Sequence, residues 1–103
     1  MELKEIKKLE KGSEIFAVLI EFDDSIEVKS VKYLMERSED NHWVQCDKRG
    51  SILINKQDLF LTEKEAYRVL IERYEDSIAK LRRNIESYEA QIIEWKKKIR
   101  EKE

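Results

Sequence analysis

From Tyr67 to Ile99 apolar side chains recur at alternating intervals of four and three residues without a slip, and this pattern constrains the chain more than any other feature. One position of the repeat reads Ile71, Ile78, Ile85, Ile92 and Ile99, and the other reads Tyr67, Tyr74, Leu81, Tyr88 and Trp95. Two apolar positions in every seven residues form the seam of a coiled coil, because a period of 3.5 keeps both facing one partner. No Gly or Pro lies in residues 63–103, so nothing interrupts a helix of about 38 residues, about 57 Å long at 1.5 Å per residue. A compact domain of this length has a radius of gyration of only ~13 Å, so most of the stripe extends beyond what its own head can cover. Fully burying one Ile or aromatic side chain is worth roughly 1.5–3 kcal/mol. Leaving most of the stripe wet would forgo more than a typical domain's net stability, so another chain is expected to cover it. A helical hairpin would need a turn near the middle, where Ser77, Asn84 and Ser87 are the only weak breakers.

Two further patterns bear on how such helices pair. In a parallel pair like layers meet, so Trp95 would face Trp95 and Tyr88 would face Tyr88. An antiparallel register centred near residues 86–87 instead sets Ile85 against Tyr88, Ile78 against Trp95, Ile92 against Leu81 and Ile99 against Tyr74. Each layer then combines one large and one medium side chain, which evens the packing density. The flanking residues Arg68, Glu75, Arg82, Glu89 and Lys96 alternate in sign, and at nearly the same register Glu75 meets Lys96 and Arg82 meets Glu89. Such exposed pairs are worth under ~1 kcal/mol each and select register more than they stabilise. The sequence therefore favours an antiparallel homodimer. A higher oligomer, a tetramer, stays open because Ala79, Ala90 and Ile93 broaden the apolar surface.

The helix has a defined start. Thr62-Glu63-Lys64-Glu65 is a capping box, in which the Thr62 hydroxyl accepts from the Glu65 amide and the Glu65 carboxylate reaches back. Leu61 and Ala66 sit where a hydrophobic staple would form, and Ala66, Val69 and Leu70 are expected to dock the first turns on the head. The chain thus divides into a β head, residues 1–62, and a long oligomerisation helix, residues 63–103.

The head reads as short strands. Leu3, Ile6 and Leu9 fit about two helical turns ending before Gly12, with an extended arm as the alternative. Residues 14–22 are apolar on both alternating faces, as in a strand covered on both sides. After the turn residues Asp23-Asp24-Ser25, a strand runs from about Ile26 to Arg37. Its inward set shifts from Ile26 and Val28 to Val31, Tyr33 and Met35, which predicts a bulge or bend at Lys29-Ser30. Residues 42–46 and 51–54 form a hairpin through Asp47-Lys48-Arg49-Gly50, and residues 58–61 form a short last strand. The expected fold class is α+β: a small curled antiparallel sheet or SH3-like barrel of 4–5 strands, followed by one long C-terminal coiled-coil helix.

Composition then narrows function. One Cys rules out an internal disulfide framework and fits a reducing, cytoplasmic setting. The longest apolar run, residues 15–20, is too short to span a bilayer, and the first residues lack an apolar stretch of signal-peptide type. With a single His and a single Cys, no metal site or cofactor is expected. His42 has no nucleophile or carboxylate arranged beside it and reads as a surface or half-buried side chain at a strand exit. Cys46 reads as a small core residue, and two glycines could hardly build a phosphate loop. Enzymatic activity is not expected. Lys96, Lys97 and Lys98, together with Lys4, Lys7, Lys8 and Lys11, and with Trp43, Tyr33 and Phe60 as stacking platforms, carry the alternative of a nucleic-acid-associated protein. Against it, basic residues in a last turn already complement the helix dipole, and residues 1–62 hold 10 basic and 13 acidic side chains. His42, Trp43, Lys96, Lys97 and Lys98 are the candidate partner contacts, and no membrane role is expected.

The stretch Leu9-Glu10-Lys11-Gly12-Ser13-Glu14-Ile15-Phe16-Ala17-Val18 resembles the lead-in to the first strand of SH3-like barrels. In overall plan, the short-strand head, the Leu59–Ala66 junction and the Lys/Glu/Ile-rich helix are similar to small cytosolic proteins of phages and mobile elements of Gram-positive bacteria. That resemblance implies an inhibitor of a host system. It would act by masking a host protein, as anti-CRISPR proteins do, or by sequestering a small signalling nucleotide between subunits.

Overall fold

The computed structural model describes residues 1–21, 23–47 and 49–103. The elements run α1 (Leu3–Ile6), β1 (Glu14–Ile20), β2 (Ile26–Glu36), β3 (Asn41–Cys46), β4 (Gly50–Asn55), a 3-10 turn (Lys56–Asp58), β5 (Leu59–Phe60) and α2 (Glu63–Lys102). The protein is α+β, as its patterning implies. Its five strands form one antiparallel sheet in the order β4-β3-β2-β1-β5, and the sheet is open, not a closed barrel. The described residues divide into two compact units, Met1–Val69 and Leu70–Glu103.

Alternation explains the head's single core. In β1, Ile15, Ala17 and Leu19 are buried and stand opposite Val31, Lys29 and Glu27 of β2, so this set defines the inner face. Tyr33 pairs with Val44, and Val44 with Ile52, which carries that face across to β4. Ile6 of α1 is buried in the same cluster, with Met1 and Leu9 packed against it. The N-terminal helix is shorter than the Leu3/Ile6/Leu9 spacing predicted, a single four-residue turn. Gly12 follows at φ +92°, and its amide donates to the Tyr33 carbonyl at 2.7 Å while Tyr33 N–H donates to the Ser13 carbonyl at 2.9 Å. Those bonds continue the β1–β2 ladder by one pair.

Three expectations need correction. β1 is covered fully on one face only: Phe16 and Val18 are half-buried and Ile20 is exposed; Phe22, expected at the end of that strand, lies outside the described residues. The bulge is not at Lys29-Ser30, because the β1–β2 register runs unbroken from Ile26 to Lys32. It lies between Tyr33 and Met35, where β2 slips against β3. The third follows from the second: Met35 does not point inward with Tyr33 but pairs with Trp43 on the outer face and is exposed.

The turns follow local chemistry. The Asp23 carboxylate accepts from the Ser25 amide and hydroxyl at 3.1 and 2.6 Å. Gly50 closes the β3–β4 hairpin at φ +70°, a conformation that a side chain would strain; Lys48 in that loop lies outside the described residues. At the start of α2 the Thr62 hydroxyl accepts from the Glu65 amide at 3.2 Å, and Ala66 is fully buried.

Candidate interaction surfaces

Taken by itself, α2 carries all ten seam residues on its surface. Tyr67, Ile71, Tyr74, Ile78, Leu81, Ile85, Tyr88, Ile92, Trp95 and Ile99 are each exposed by between 46 and 68 %. The spread is narrow, so the stripe is uniformly exposed along the helix. Large contiguous apolar surfaces of this kind mark association sites. Ile93 is more exposed still, at 69 %, and lies off the seam. Lys96, Lys97 and Lys98 are exposed on the last turns of α2.

The bulge builds a second surface, on the outer face of the sheet. Between the Tyr33–Val44 and Met35–Trp43 pairs, two residues of β2 oppose one of β3, and a bulge re-aims side chains in this way. Leu34, Met35, Trp43, Lys11 and Ser51 line an open groove of about 490 Å³. Among the described residues its lining is three apolar side chains with one ammonium and one hydroxyl. The sequence points to Trp43 as a contact and to Lys11 as part of a basic set, but not to Leu34, Met35 or Ser51. Leu34 and Met35 leave one signal, the run Tyr33-Leu34-Met35, three consecutive bulky residues that strict alternation cannot place on one side.

His42 is not at the surface. It is fully buried, with Nδ1 3.1 Å from the Tyr33 hydroxyl and Nε2 3.2 Å from the Glu39 carbonyl. A carbonyl only accepts, so Nε2 carries a proton and donates to Glu39, while Nδ1 shares a second hydrogen bond with the Tyr33 hydroxyl. Burial, aided by the Glu36 carboxylate, pushes the Tyr33 phenol above its ordinary range, which keeps it protonated. This pair satisfies two polar groups within the core, and in this position His42 offers nothing to a partner. Tyr33 and Phe60 are likewise buried, which leaves Trp43 alone of the three expected stacking platforms. Cys46 is buried and free.

At the other end of the inner face Lys29 Nζ lies 2.8 Å from Glu21 Oε1. The Arg49 guanidinium bonds the same carboxylate and donates to the Ile20 carbonyl at 3.3 Å. The Lys29 hydrogen bond, reinforced by Arg49, holds the Glu21 carboxyl below its usual range and raises Lys29 in return. The cluster ties the β3–β4 loop to the end of β1. Among the described residues, no three His, Cys, Asp or Glu side chains gather to hold a metal ion, and no helix is long and apolar enough to cross a membrane.

Fold and surfaces together define an α+β protein with an open antiparallel sheet and a long helix bearing an exposed 4-3 apolar seam. No protein-family model, curated protein or solved structure matches the chain.

Proposed function

We propose that the chain is a self-associating, non-catalytic binding protein. Its α2 helices pair antiparallel, and the β heads present their outer-face grooves to a protein partner, whose activity is inhibited by masking. The observation that carries this reading is the uniform exposure of the ten seam residues, together with alternating charges that match a second copy in the antiparallel register. The groove suits a protein side chain better than a nucleotide: among the described residues its lining is mostly apolar, with Lys11 as the one cation. An apolar residue flanked by a carboxylate would satisfy both parts.

The pairing is tested with a single spin label at Asp76, on the face opposite the seam. In the antiparallel register residue 76 of one copy lies level with residue 97 of the other, an axial offset of about 30 Å at 1.5 Å per residue. A distance distribution centred beyond that offset supports the reading. A monomer by light scattering refutes self-association, and a short label–label distance refutes the antiparallel register. For the masking role, Trp43→Ala and Lys11→Glu should each abolish co-purification with a defined host protein while leaving the oligomeric state unchanged.

A further inference from the structure

Sheet edges are association hazards, and proteins ordinarily blunt them with lysines, prolines, bulges, very short strands or a covering segment. This sheet treats its two edges differently. At one end β5 is two residues long. At the other, β4 presents six residues, Gly50-Ser51-Ile52-Leu53-Ile54-Asn55, without a charge or a proline. Its ladder with β3 runs in unbroken register from Asn41–Asn55 to Cys46–Gly50.

The outward-facing backbone groups of β4 can be identified. Lys56 N–H donates to the Asp40 carbonyl at 2.7 Å, one step beyond the Asn41–Asn55 pair. Antiparallel ladders bond every second residue, so Ile54 and Ile52 turn their amides to β3. Ser51, Leu53 and Asn55 turn theirs away, and these three residues are exposed.

We propose that this edge is a second self-association surface, on which two copies join β4 to β4 antiparallel about a two-fold axis at Leu53. Only outward residues can bond to outward residues, so few registers are allowed. The one centred on Leu53 sets Leu53 against Leu53, Ser51 against Asn55 and Ile52 against Ile54. Apolar then meets apolar on both faces, polar meets polar, and no charges clash. The neighbouring registers set Leu53 against Ser51 or Asn55 instead. Joined in this way the strands exchange about six backbone hydrogen bonds. Ile52 and Ile54, already packed on the core's margin, continue the inner face from one head to the next. The fit to a second copy, rather than to a foreign strand, rests on this self-complementary order.

The surface is independent of the α2 seam, and the test keeps them apart. Full-length Ile85→Asp, which removes the seam contact, is examined by light scattering and by amide exchange in NMR. The expected result is a dimer in which the Ser51, Leu53 and Asn55 amides exchange roughly a hundred-fold or more slower than free amides. Adding Leu53→Pro should give a monomer with unchanged head chemical-shift dispersion, since proline is tolerated where the edge N–H faces outward. Leu53→Lys, which places like charges at the axis, should also dissociate the pair, less so at high salt. A monomeric Ile85→Asp protein overturns the proposal while leaving helix pairing intact, as does a dimer whose Leu53 amide exchanges freely. A monomeric wild type with fast exchange at these amides overturns both.

Discussion

Replacing Ile85 by aspartate strikes the centre of the proposed helix seam, and the size of its effect can be worked out. Ile85 is 53 % exposed in the single chain, so about half of the ~1.5–3 kcal/mol for burying an isoleucine remains to be gained on pairing. A two-fold interface contains the site twice, so losing the side chain removes about 2 kcal/mol. Aspartate also puts two carboxylates opposite Tyr88, and a desolvation cost of only ~1 kcal/mol each, well below the several expected for an ion, brings the total to about 4 kcal/mol. That weakens dimerisation about a thousand-fold. Ile93→Asp is the control: it makes the same chemical change on the same helix, but at a 69 % exposed position off the seam, where surface substitutions stay within ~0.5 kcal/mol. Helix propensity and net charge change equally in both variants, so the difference between them isolates the seam. Sedimentation equilibrium across a dilution series measures both constants, with Leu53→Pro present in each protein so that only the helix seam contributes to association. Equal constants for the two variants would refute the reasoning, whichever direction they moved.

Stability should also depend on pH through the Glu21–Lys29–Arg49 cluster. The Glu21 carboxyl is lowered in the folded state, so its contribution is full above the unfolded carboxylate range of about 4.3 and disappears as pH falls through the folded value. Lys29 is raised, so its contribution is full below about 10.4 and disappears as pH rises through the folded value. Urea midpoints should therefore hold level between those ranges and fall outside them, and Glu21→Gln should flatten the acid limb. An unchanged acid limb in that variant would place the sensitivity elsewhere. Tyr33→Phe leaves buried His42 Nδ1 without its hydrogen-bond partner and should cost about 1–3 kcal/mol in urea unfolding. A neutral result would mean that water or another group reaches the ring.

What was legible in the sequence was local or periodic. The start of α2 was written in Thr62 and Glu65 because a cap needs only neighbours, and the long helix with its exposed apolar stripe was legible because a 3.5-residue period survives any tertiary context. The misplaced bulge shows the opposite case. Lys29, sitting where the inward pattern wants an apolar residue, looked like a slip of phase. In the fold it keeps its place opposite Ala17 and pairs its ammonium with Glu21, a long polar side chain reaching from a core position to a charge. The sequence offers His42 only a surface or half-buried place for a related reason. Its burial depends on Tyr33, nine residues away, and on the Glu39 carbonyl, partners that only the folded sheet brings together. The groove escaped notice because it depends on the bulge, and the bulge depends on pairing between β2 and β3.

That dependence makes Leu34 the residue on which the outer face turns. Removing one residue from a regular strand moves every later side chain to the opposite face and ordinarily destroys the fold. Deleting Leu34 should do the reverse. Tyr33 already pairs with Val44, Met35 with Trp43 and Glu36 with His42, so without Leu34 the same pairs follow one another in regular alternation and nothing beyond it changes face. On the other flank, the bonds between β2 and the β1 side end at Tyr33, which bonds Gly12 and Ser13, so no second ladder is disturbed. The deletion should therefore fold with the Tyr33–His42 bond intact, at a cost limited to one half-buried leucine, about 1 kcal/mol. Its groove should lose one wall and with it the binding of any partner seated beside Trp43. Deleting Lys32 instead removes a residue paired on both sides and should abolish cooperative unfolding. The comparison needs only urea titrations and an amide spectrum of each protein. If the Leu34 deletion unfolds as completely as the Lys32 deletion, Leu34 is not the extra residue of β2, and the account of how Met35 and Trp43 come to share the outer face is wrong.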